Sequence, residues 1–505
     1  KPYLLEYPDL RRMVEQLFEI AFSNGTHAAG MVISDSRRPL LKEVPLARSG
    51  SEGQQTSAYD MEVLKKMGFV KFDILGLGAL DIIDDCCKFA DIEVDFAKFE
   101  FDDLKVFETI NKGNYLKIFQ VEGQASIQGI KAMGGIQEFE DIVAMNALGR
   151  PGAIQFLSRF CEWRKDPMAI NYPDEKLYEF LHKTHGVILY QEQVMAISKY
   201  LAGFDDHRVD DVKEAIKFFR DEVFDEIRPE FIAGCIKNGV NNPEEIFGMI
   251  KDFAGYGFNR AHAVAYSTIG YVTAWLKTYH PAAFYAAALN HTEKDNYQPI
   301  IGEARRNGIE FLPPHINKSE AGFTLDGGKV RFGISSVAYC SEATAAEIIS
   351  KRPFANLQDF EARIAARKCN SRSRLNLMSV GAMNDLEGFE AVLTLVERRQ
   401  LQRELIGVAI EYSTEEMDRI KEDNPELGIR VGLISSEKRI VTKKGDPMGF
   451  VKLEDGGSDL TLFPQVWLSY KHLKPSKGDL VKAYGRVDKT NGRDAFIVNE
   501  VQVYG

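Results

Sequence analysis

Several signatures that would place a chain quickly are missing from this one. Its six cysteines, Cys86, Cys87, Cys161, Cys235, Cys340 and Cys369, form no CxxC pair and have no histidine partner at zinc spacing. They read as reduced, mostly buried thiols of a cytosolic protein rather than as a disulfide framework or a zinc module. No apolar run approaches the length of a membrane span, and no secretory leader pattern opens the chain. There is no dinucleotide-binding or P-loop glycine signature, no internal repeat and no low-complexity tract. Positive charge is not in excess either: 63 basic residues face 74 acidic ones, for a net charge of -11. A generic polyanion binder is excluded, although a local basic groove is not.

What remains is an ordinary globular composition, 45% hydrophobic and 27% charged over 505 residues, enough for several domains. An amphipathic helix is expected over 9–23, with Leu10, Met13, Val14, Leu17 and Phe18 on its apolar stripe. Gly25 ends it, and the small-residue turn Thr26-His27-Ala28-Ala29-Gly30 enters a strand through Ser34. Residues 36–56 read as polar loop, and a helical stretch Tyr59–Met67 leads to Phe69-Val70-Lys71-Phe72-Asp73-Ile74-Leu75-Gly76-Leu77. Here Val70 and Phe72 alternate with Lys71 and Asp73, so a strand would set cation and carboxylate on one face. A carboxylate on a rigid strand suits a divalent metal, and a lysine beside it suits a phosphate-bearing substrate. The bland alternative is an edge strand with two solvated charges.

Helical patterns dominate from about residue 81 to 300. Ile118–Glu122 and Gly186–Leu189 look strand-like within them, Phe139–Leu148 is a helix stopped at Gly149-Arg150-Pro151-Gly152, and a helix follows Tyr190-Gln191-Glu192-Gln193. A glycine- and aromatic-rich turn, Gly255-Tyr256-Gly257-Phe258-Asn259-Arg260-Ala261-His262, precedes a long helix over Ala265–Tyr279. Arg331–Ile334 reads as a strand. Short helices over 341–385 carry a basic cluster of Arg363, Arg367, Lys368, Arg372 and Arg374, and a charged helix is expected over 387–422. From Ile429 the pattern turns all-β, with runs at Val431–Ile434, Phe450–Glu454, Leu460–Phe463, Leu480–Val487 and Ala495–Val503, the signature of a small barrel of OB type.

Read in order, these stretches resemble one family. His27-Ala28-Ala29-Gly30, Val70–Leu77, Phe119-Gln120-Val121-Glu122, Asp141-Ile142-Val143-Ala144, Arg150-Pro151-Gly152, Tyr190–Met195, Gly255–Asn259 and Leu312-Pro313-Pro314 with Ile316–Ser319 are similar to motifs of the bacterial C-family replicative DNA polymerases, the α subunits of DNA polymerase III. The resemblance implies a multidomain chain. An end of thumb over 1–24 precedes an α+β partial palm of nucleotidyltransferase type over 25–80. Mostly α fingers over 81–315, a helix-hairpin-helix-like duplex-binding region over 316–425 and an OB barrel over 426–505 complete it.

It also implies roles. Asp73 matches the third catalytic carboxylate of the palm, a ligand of two Mg²⁺ ions that promote attack of the primer 3′-hydroxyl on a dNTP. Lys71 matches a lysine near the nucleotide phosphates, and His27 and Gly30 line the palm, with simple packing of the turn as the alternative for His27. Arg150, Tyr190, Gln191, Gln193, Tyr256, Asn259, Arg260 and His262 fall in the fingers and face the nucleotide; core packing is the alternative for the Tyr190 helix. Primer-template DNA would be the partner of the basic cluster.

Departures accompany the match. The family's first two catalytic carboxylates lie on a Pro-Asp-x-Asp-x-Asp-Phe strand upstream of the His-Ala-Ala-Gly turn, and the sequence opens at Lys1 without it. Asp91-Ile92-Glu93-Val94-Asp95-Phe96 mimics that strand but follows Asp73, where a connector is expected. The chain is therefore expected to be a carboxyl-terminal part of such a polymerase, inactive alone and completed by another chain or segment, cytoplasmic, with a phage-encoded or split version as the expected source. Lys213, with Arg208 near it, stands where the family has an arginine pair facing the triphosphate. The hairpin glycines after Phe332-Gly333-Ile334 are replaced by Ser335-Ser336-Val337-Ala338, and no clear sliding-clamp peptide is found. A non-catalytic DNA-binding relative stays open as the alternative function. A metallohydrolase built on Asp73 lacks a ligand cluster.

Overall fold

A computed structural model describes residues 8–17, 25–27, 29–35, 37–49, 54–74, 76–150, 152–218, 221–254, 256–389, 393–412, 414–425, 428–442, 445–454, 459–488 and 495–504. Ala28, Leu75, Pro151 and Gly255 of the motifs above, and residues 18–24 of the first expected helix, lie outside them. The chain forms two compact units, Lys1–Gly78 and Ala79–Gly505.

In the first unit, β1 (Gly30–Ile33) pairs antiparallel with β4 (Val70–Asp73), in the register Gly30 with Asp73 and Val32 with Lys71. Between them the stretch read as polar loop holds a short helix, Leu40–Glu43, and a second antiparallel pair, β2 (Leu46–Ser49) with β3 (Gln54–Ser57). Polar residues at Gln54, Gln55 and Ser57 conceal this hairpin, because a solvated two-stranded ribbon needs no apolar alternation. The Met61–Lys66 helix starts at Asp60, whose side chain accepts from the Val63 amide. Its Leu64 packs with Val44 and Phe69 as the small core.

The second unit opens with helices packed into three apolar clusters. The Arg260–Tyr279 helix contributes to two of them at once, Val272 and Leu276 to one, Ala263, Tyr271 and Ala274 to the other. It begins at Arg260 rather than Ala265 because Asn259 caps it, accepting from the His262 amide at 2.8 Å. Its last turns bury Lys277, which pairs with Glu303 and donates to the carbonyls of Asn114 and Leu116. Glu303 also accepts from the Tyr285 hydroxyl and the Leu116 amide, so both charges are fully hydrogen-bonded inside the protein.

Two stretches read as strands are not. Over Ile118–Glu122 the chain makes successive turns, Ile118 to the Tyr115 carbonyl and Val121 to that of Ile118. Lys117 and Gln120 both adopt positive φ, which no strand tolerates, and Ile118 and Val121 are buried by the turn geometry rather than by a pleat. Gly186 turns at φ +76, Val187 bonds back to the Thr184 carbonyl, and only Tyr190 finds a ladder partner, in a single parallel bridge with Phe258. Likewise the expected strand over Arg331–Ile334 ends at Arg331. Here β5 (Phe311–Leu312), β6 (Thr324–Asp326) and β7 (Lys329–Arg331) form a small sheet in the order β5-β7-β6, and Ile334–Ser336 is a 3₁₀ turn. The single charged helix expected over 387–422 is two, Leu395–Ile406 and Thr414–Ile420, because Gly407 turns left-handed and caps the first.

The carboxyl-terminal strands β8 (Ile429–Val441), β9 (Pro447–Leu453), β10 (Leu460–Leu462), β11 (Leu480–Asp488) and β12 (Ala495–Tyr504) coincide with the five runs seen in the sequence. They close into a barrel in the order β10-β12-β11-β8-β9, with β10 and β12 parallel. The helix Pro464–His472 between β10 and β11 adds buried Trp467 and Tyr470 to the barrel core. No helix among the described residues is long and apolar enough to cross a membrane.

The Lys277–Glu303 pair yields a stability prediction. Lys277→Met leaves Glu303 buried without its cation and should destabilise the second unit by about 3–5 kcal/mol, read as a lowered urea midpoint. A change below about 1 kcal/mol would show that the pair is solvated in solution.

Candidate active site

The β1–β4 pairing builds the first constellation. Side chains two apart on a strand share a face, so Lys71 and Asp73 point the same way. The Lys71 ammonium lies 2.5 Å from the Asp73 carboxylate, and His27 Nδ1 is 3.7 Å from the same oxygen. Gly30 sits opposite Asp73, and a β-carbon there would come within 2.6 Å of the Lys71 chain and 3.2 Å of the carboxylate. A β-carbon would push the lysine and imidazole ends aside, so glycine leaves the three polar groups room to converge. The Lys71 hydrogen bond holds the Asp73 carboxyl below the ordinary carboxylate range, with the charges of Lys71 and His27 adding to it. Asp73 remains 40% exposed, so it is ionised and accessible. The opposite face carries Met31, Ile33, Val70 and Phe72, each about half exposed.

The second unit holds a separate constellation. The carbonyl of Tyr256 accepts from Arg150 Nη2 at 2.6 Å, and the guanidinium lies over the Phe258 ring at 4.3 Å. Among the described residues Arg150 has no carboxylate partner. Gly152, at φ +92, lets the Tyr256 ring lie against the backbone, because a β-carbon would overlap it. The turn is tied down on its other side: the Gln191 amide donates to the Phe258 carbonyl at 2.9 Å, and Gln191 Nε2 to that of Gly257 at 3.3 Å. His262 is exposed and lies 4.0 Å from the Tyr266 ring, which in turn meets Phe119 at 5.3 Å. The result is a half-exposed aromatic surface edged by a guanidinium.

Other residues named from the sequence are placed differently. Gln193 is internal: its carbonyl accepts from the Leu189 and Tyr190 amides, and its amide donates to Thr184 and the Phe180 carbonyl. Every side-chain group is engaged, so Gln193 positions the loop and does not reach a ligand. Tyr190 is also buried, its hydroxyl without a partner among the described residues and its ring 5.8 Å from the Arg260 guanidinium. Burial pushes its phenol well above the usual range. Arg260 is held by Glu140 at 2.6 Å. Lys213 is exposed and makes no ion pair among the described residues, whereas Arg208 is taken by Asp211, Glu226 and Glu230. In the basic cluster, Arg363 donates to the Pro353 and Lys351 carbonyls and to Asp359, and Arg374 to those of Cys369 and Ile364. Those two stabilise helix ends. Arg367 and Lys368 are exposed, and Arg372 lies 3.5 Å over the exposed Tyr339 ring.

Two acidic residues not named as site candidates from the sequence are central, Glu140 and Glu192, although Glu192 lies inside the Tyr190–Met195 motif. Glu192 accepts from the Arg260 amide with both oxygens, at 3.1 and 2.9 Å, and from Asn259 Nδ2 at 2.8 Å. Glu140 holds the Arg260 guanidinium. A carboxylate at a helix amino terminus is favoured by the helix dipole, but Glu192 comes from another helix, so no local pattern could reveal it.

Whether a metal centre can form depends on the donor set. Among the described residues the one group of three possible ligands within 4.8 Å of one another is Glu138, Asp141 and His185. Arg164 already binds Asp141 with two hydrogen bonds, at 2.8 and 2.6 Å, making this a structural ion pair. Asp73 stands as a single carboxylate with an ammonium on one oxygen. A hard dication needs several oxygens, so these residues alone do not fit a pair of Mg²⁺ ions.

Comparison with known proteins bears directly on these elements. Residues 5–76 match the bacterial DNA polymerase III alpha NTPase domain, 79–239 its finger domain and 308–393 a helix-hairpin-helix motif. The DNA polymerase III α subunit of Bacillus subtilis is 30% identical over 95% of this chain and 48% of its own length; that of Aquifex aeolicus is 31% identical over 96% and 43%. The Caulobacter vibrioides subunit is 34% identical over 75% of this chain and 34% of its own length. The chain belongs to the bacterial DNA polymerase III α family. It spans about half the length of the first two relatives. The β1–β4 constellation lies within the matched NTPase region and the Arg150 side of the second within the finger region, while the Tyr256–His262 turn lies beyond the matched residues.

Two outcomes test this geometry. In Lys71→Met the Asp73 carboxyl loses its hydrogen bond, so its midpoint in a ¹³C-detected NMR titration should rise back toward the ordinary carboxylate range; an unmoved midpoint would mean the contact is absent in solution. Gly152→Ala should displace the Tyr256 ring and strain the turn, costing about 1–3 kcal/mol in a denaturant melt.

Proposed function

We propose that the chain carries the nucleotide-binding fingers and one palm carboxylate of a DNA-directed DNA polymerase that joins dNTPs to a primer 3′-hydroxyl. The observation that carries this is the convergence of Lys71, His27 and Asp73 on Gly30, within a region matching the family's NTPase domain. A cation two residues from an ionised, accessible carboxylate can meet a phosphate oxygen while the carboxylate stays available as a ligand. In the fingers, Arg150 supplies a cation without a competing carboxylate among the described residues, and Tyr256, Phe258 and His262 supply an apolar, stackable surface for a base. Lys213 would add charge toward the triphosphate.

On this reading residues 25–80 are part of a palm, 81–315 fingers, 316–425 a duplex-binding region and 426–505 an OB barrel. The barrel's strand order and its helix between β10 and β11 support the last assignment. Arg367, Lys368 and Arg372 remain as candidates for phosphate contacts of primer-template DNA. The half-exposed apolar face of β1 and β4 supports a palm sheet that takes further strands. Asp73 would be one ligand of a magnesium centre whose other carboxylates come from outside the described residues. A non-catalytic DNA-binding relative is the second reading, favoured by the Lys71 ammonium that already occupies one oxygen of Asp73.

Fluorescent dNTP binding and primer extension separate the two. Arg150→Ala should weaken dNTP binding by about tenfold or more, the scale of a charge-assisted contact. Extension should require a separately expressed polypeptide bearing the Pro-Asp-x-Asp-x-Asp-Phe strand and disappear in Asp73→Asn. Retained DNA binding with no dNTP affinity and no extension in any mixture would establish the non-catalytic reading instead.

A further inference from the structure

Where the Leu395–Ile406 helix meets the barrel lies a cavity of about 230 Å³, lined by Arg399, Gln400, Arg403, Lys477, Gly478 and Tyr504 together with Glu416 and Asp479. Arg399 and Arg403 of that lining belong to a larger cationic cluster, whose Arg305, Tyr412 and Glu454 line a separate cavity. Three buried guanidiniums gather around Tyr412: Arg305 lies 4.0 Å and Arg399 5.3 Å from its ring, and Arg403 shares Glu454 with its hydroxyl. Among the described residues two carboxylates answer them. Glu416 binds Arg399 with two hydrogen bonds, at 2.9 and 2.6 Å, and Glu454 takes Nε of Arg403. Arg305 donates to the Tyr412 hydroxyl and to the Ala409 carbonyl, and has no carboxylate among the described residues. A guanidinium cannot shed its proton, so one buried positive charge is left over.

The surplus has a direction. The Arg403 side chain is 91% buried, yet its Nη2 has no hydrogen-bond partner among the described residues, and the group lines the cavity beside Gly478. A desolvated charged donor left unmade is costly unless something enters to accept from it. Lys477 is exposed at the same cavity and makes no ion pair among the described residues. Asp479, the remaining carboxylate, accepts from the Ser476 amide.

We propose that this cavity binds a phosphate-class oxyanion, with Arg403 Nη2 as its inner donor and Lys477 at its mouth. The volume suits a phosphate or pyrophosphate, and the mouth would also admit a phosphodiester of a passing strand. The site lies at the end of the barrel ladder where Leu480 pairs with Tyr504, not at the end where Asp488 pairs with Ala495. It involves none of the residues assigned above to nucleotide or primer, so it stands or falls apart from the polymerase reading.

Isothermal titration of the chain with inorganic phosphate, and separately with pyrophosphate, tests this. At least one should bind, and the exposed substitutions Lys477→Glu and Gln400→Glu should each weaken that binding by about tenfold, the scale of one charge-assisted hydrogen bond. Arg403→Lys keeps the cation facing Glu454 but removes Nη2, and should weaken binding similarly while the chain stays folded by circular dichroism. Displacement of the bound anion by an oligothymidylate would assign the site to strand phosphates, and failure to displace it to a free anion. Absence of binding by both anions, or affinities unchanged in both exposed variants, would overturn the proposal.

Discussion

The contact on which the second unit's candidate site depends is the Glu192 carboxylate on the first backbone amide of the Arg260–Tyr279 helix. A helix amino terminus presents unsatisfied N–H groups and partial positive charge, and Glu192 answers both from a neighbouring helix. With that end fixed, the preceding turn is fixed too, since the Gln191 amide and side chain hold the carbonyls of Phe258 and Gly257. The Tyr256 carbonyl then stands where Arg150 can reach it. The aromatic surface is thus the product of one clamp and a few short backbone contacts, with Gly152 leaving space for the Tyr256 ring.

The first unit works by a simpler constraint, two strands in fixed register. A slip of one residue would turn Lys71 and Asp73 to the opposite face and bring Phe72 against Gly30. The observed register places the absent β-carbon of Gly30 just where ammonium, imidazole and carboxylate need space. The same register leaves Met31, Ile33, Val70 and Phe72 together and half exposed, which a two-stranded ribbon cannot bury by itself.

Much of this architecture is legible in the amino-acid sequence. The five barrel strands are visible because β-branched and apolar residues alternate between glycine turns, a signal that does not depend on distant partners. The Asp73 strand is visible for the same reason. The stretches that mislead share a cause. Ile118–Glu122 and Gly186–Leu189 have strand-like composition, but positive-φ residues and the lack of a ladder partner decide otherwise. Gln193, Arg363 and Arg374 look like ligand-facing polar residues in one dimension, yet each spends its hydrogen bonds on carbonyls or amides brought close by folding. The β2–β3 hairpin escapes notice because β3 is wholly polar and β2, Leu46-Ala47-Arg48-Ser49, does not alternate.

By itself, then, the order of motifs in the sequence determined the family, the barrel and the face shared by Lys71 and Asp73, because these rest on local periodicity and on residue types at set spacings. The tertiary structure decided which charges are free. Among the described residues Arg150 has no carboxylate partner, while Arg208 and Arg260 have theirs. Glu192 became a helix clamp, and three arginines from two segments met over Tyr412 with two glutamates among the described residues to balance them. Charge compensation is a property of neighbours in space, and no spacing along a chain encodes it.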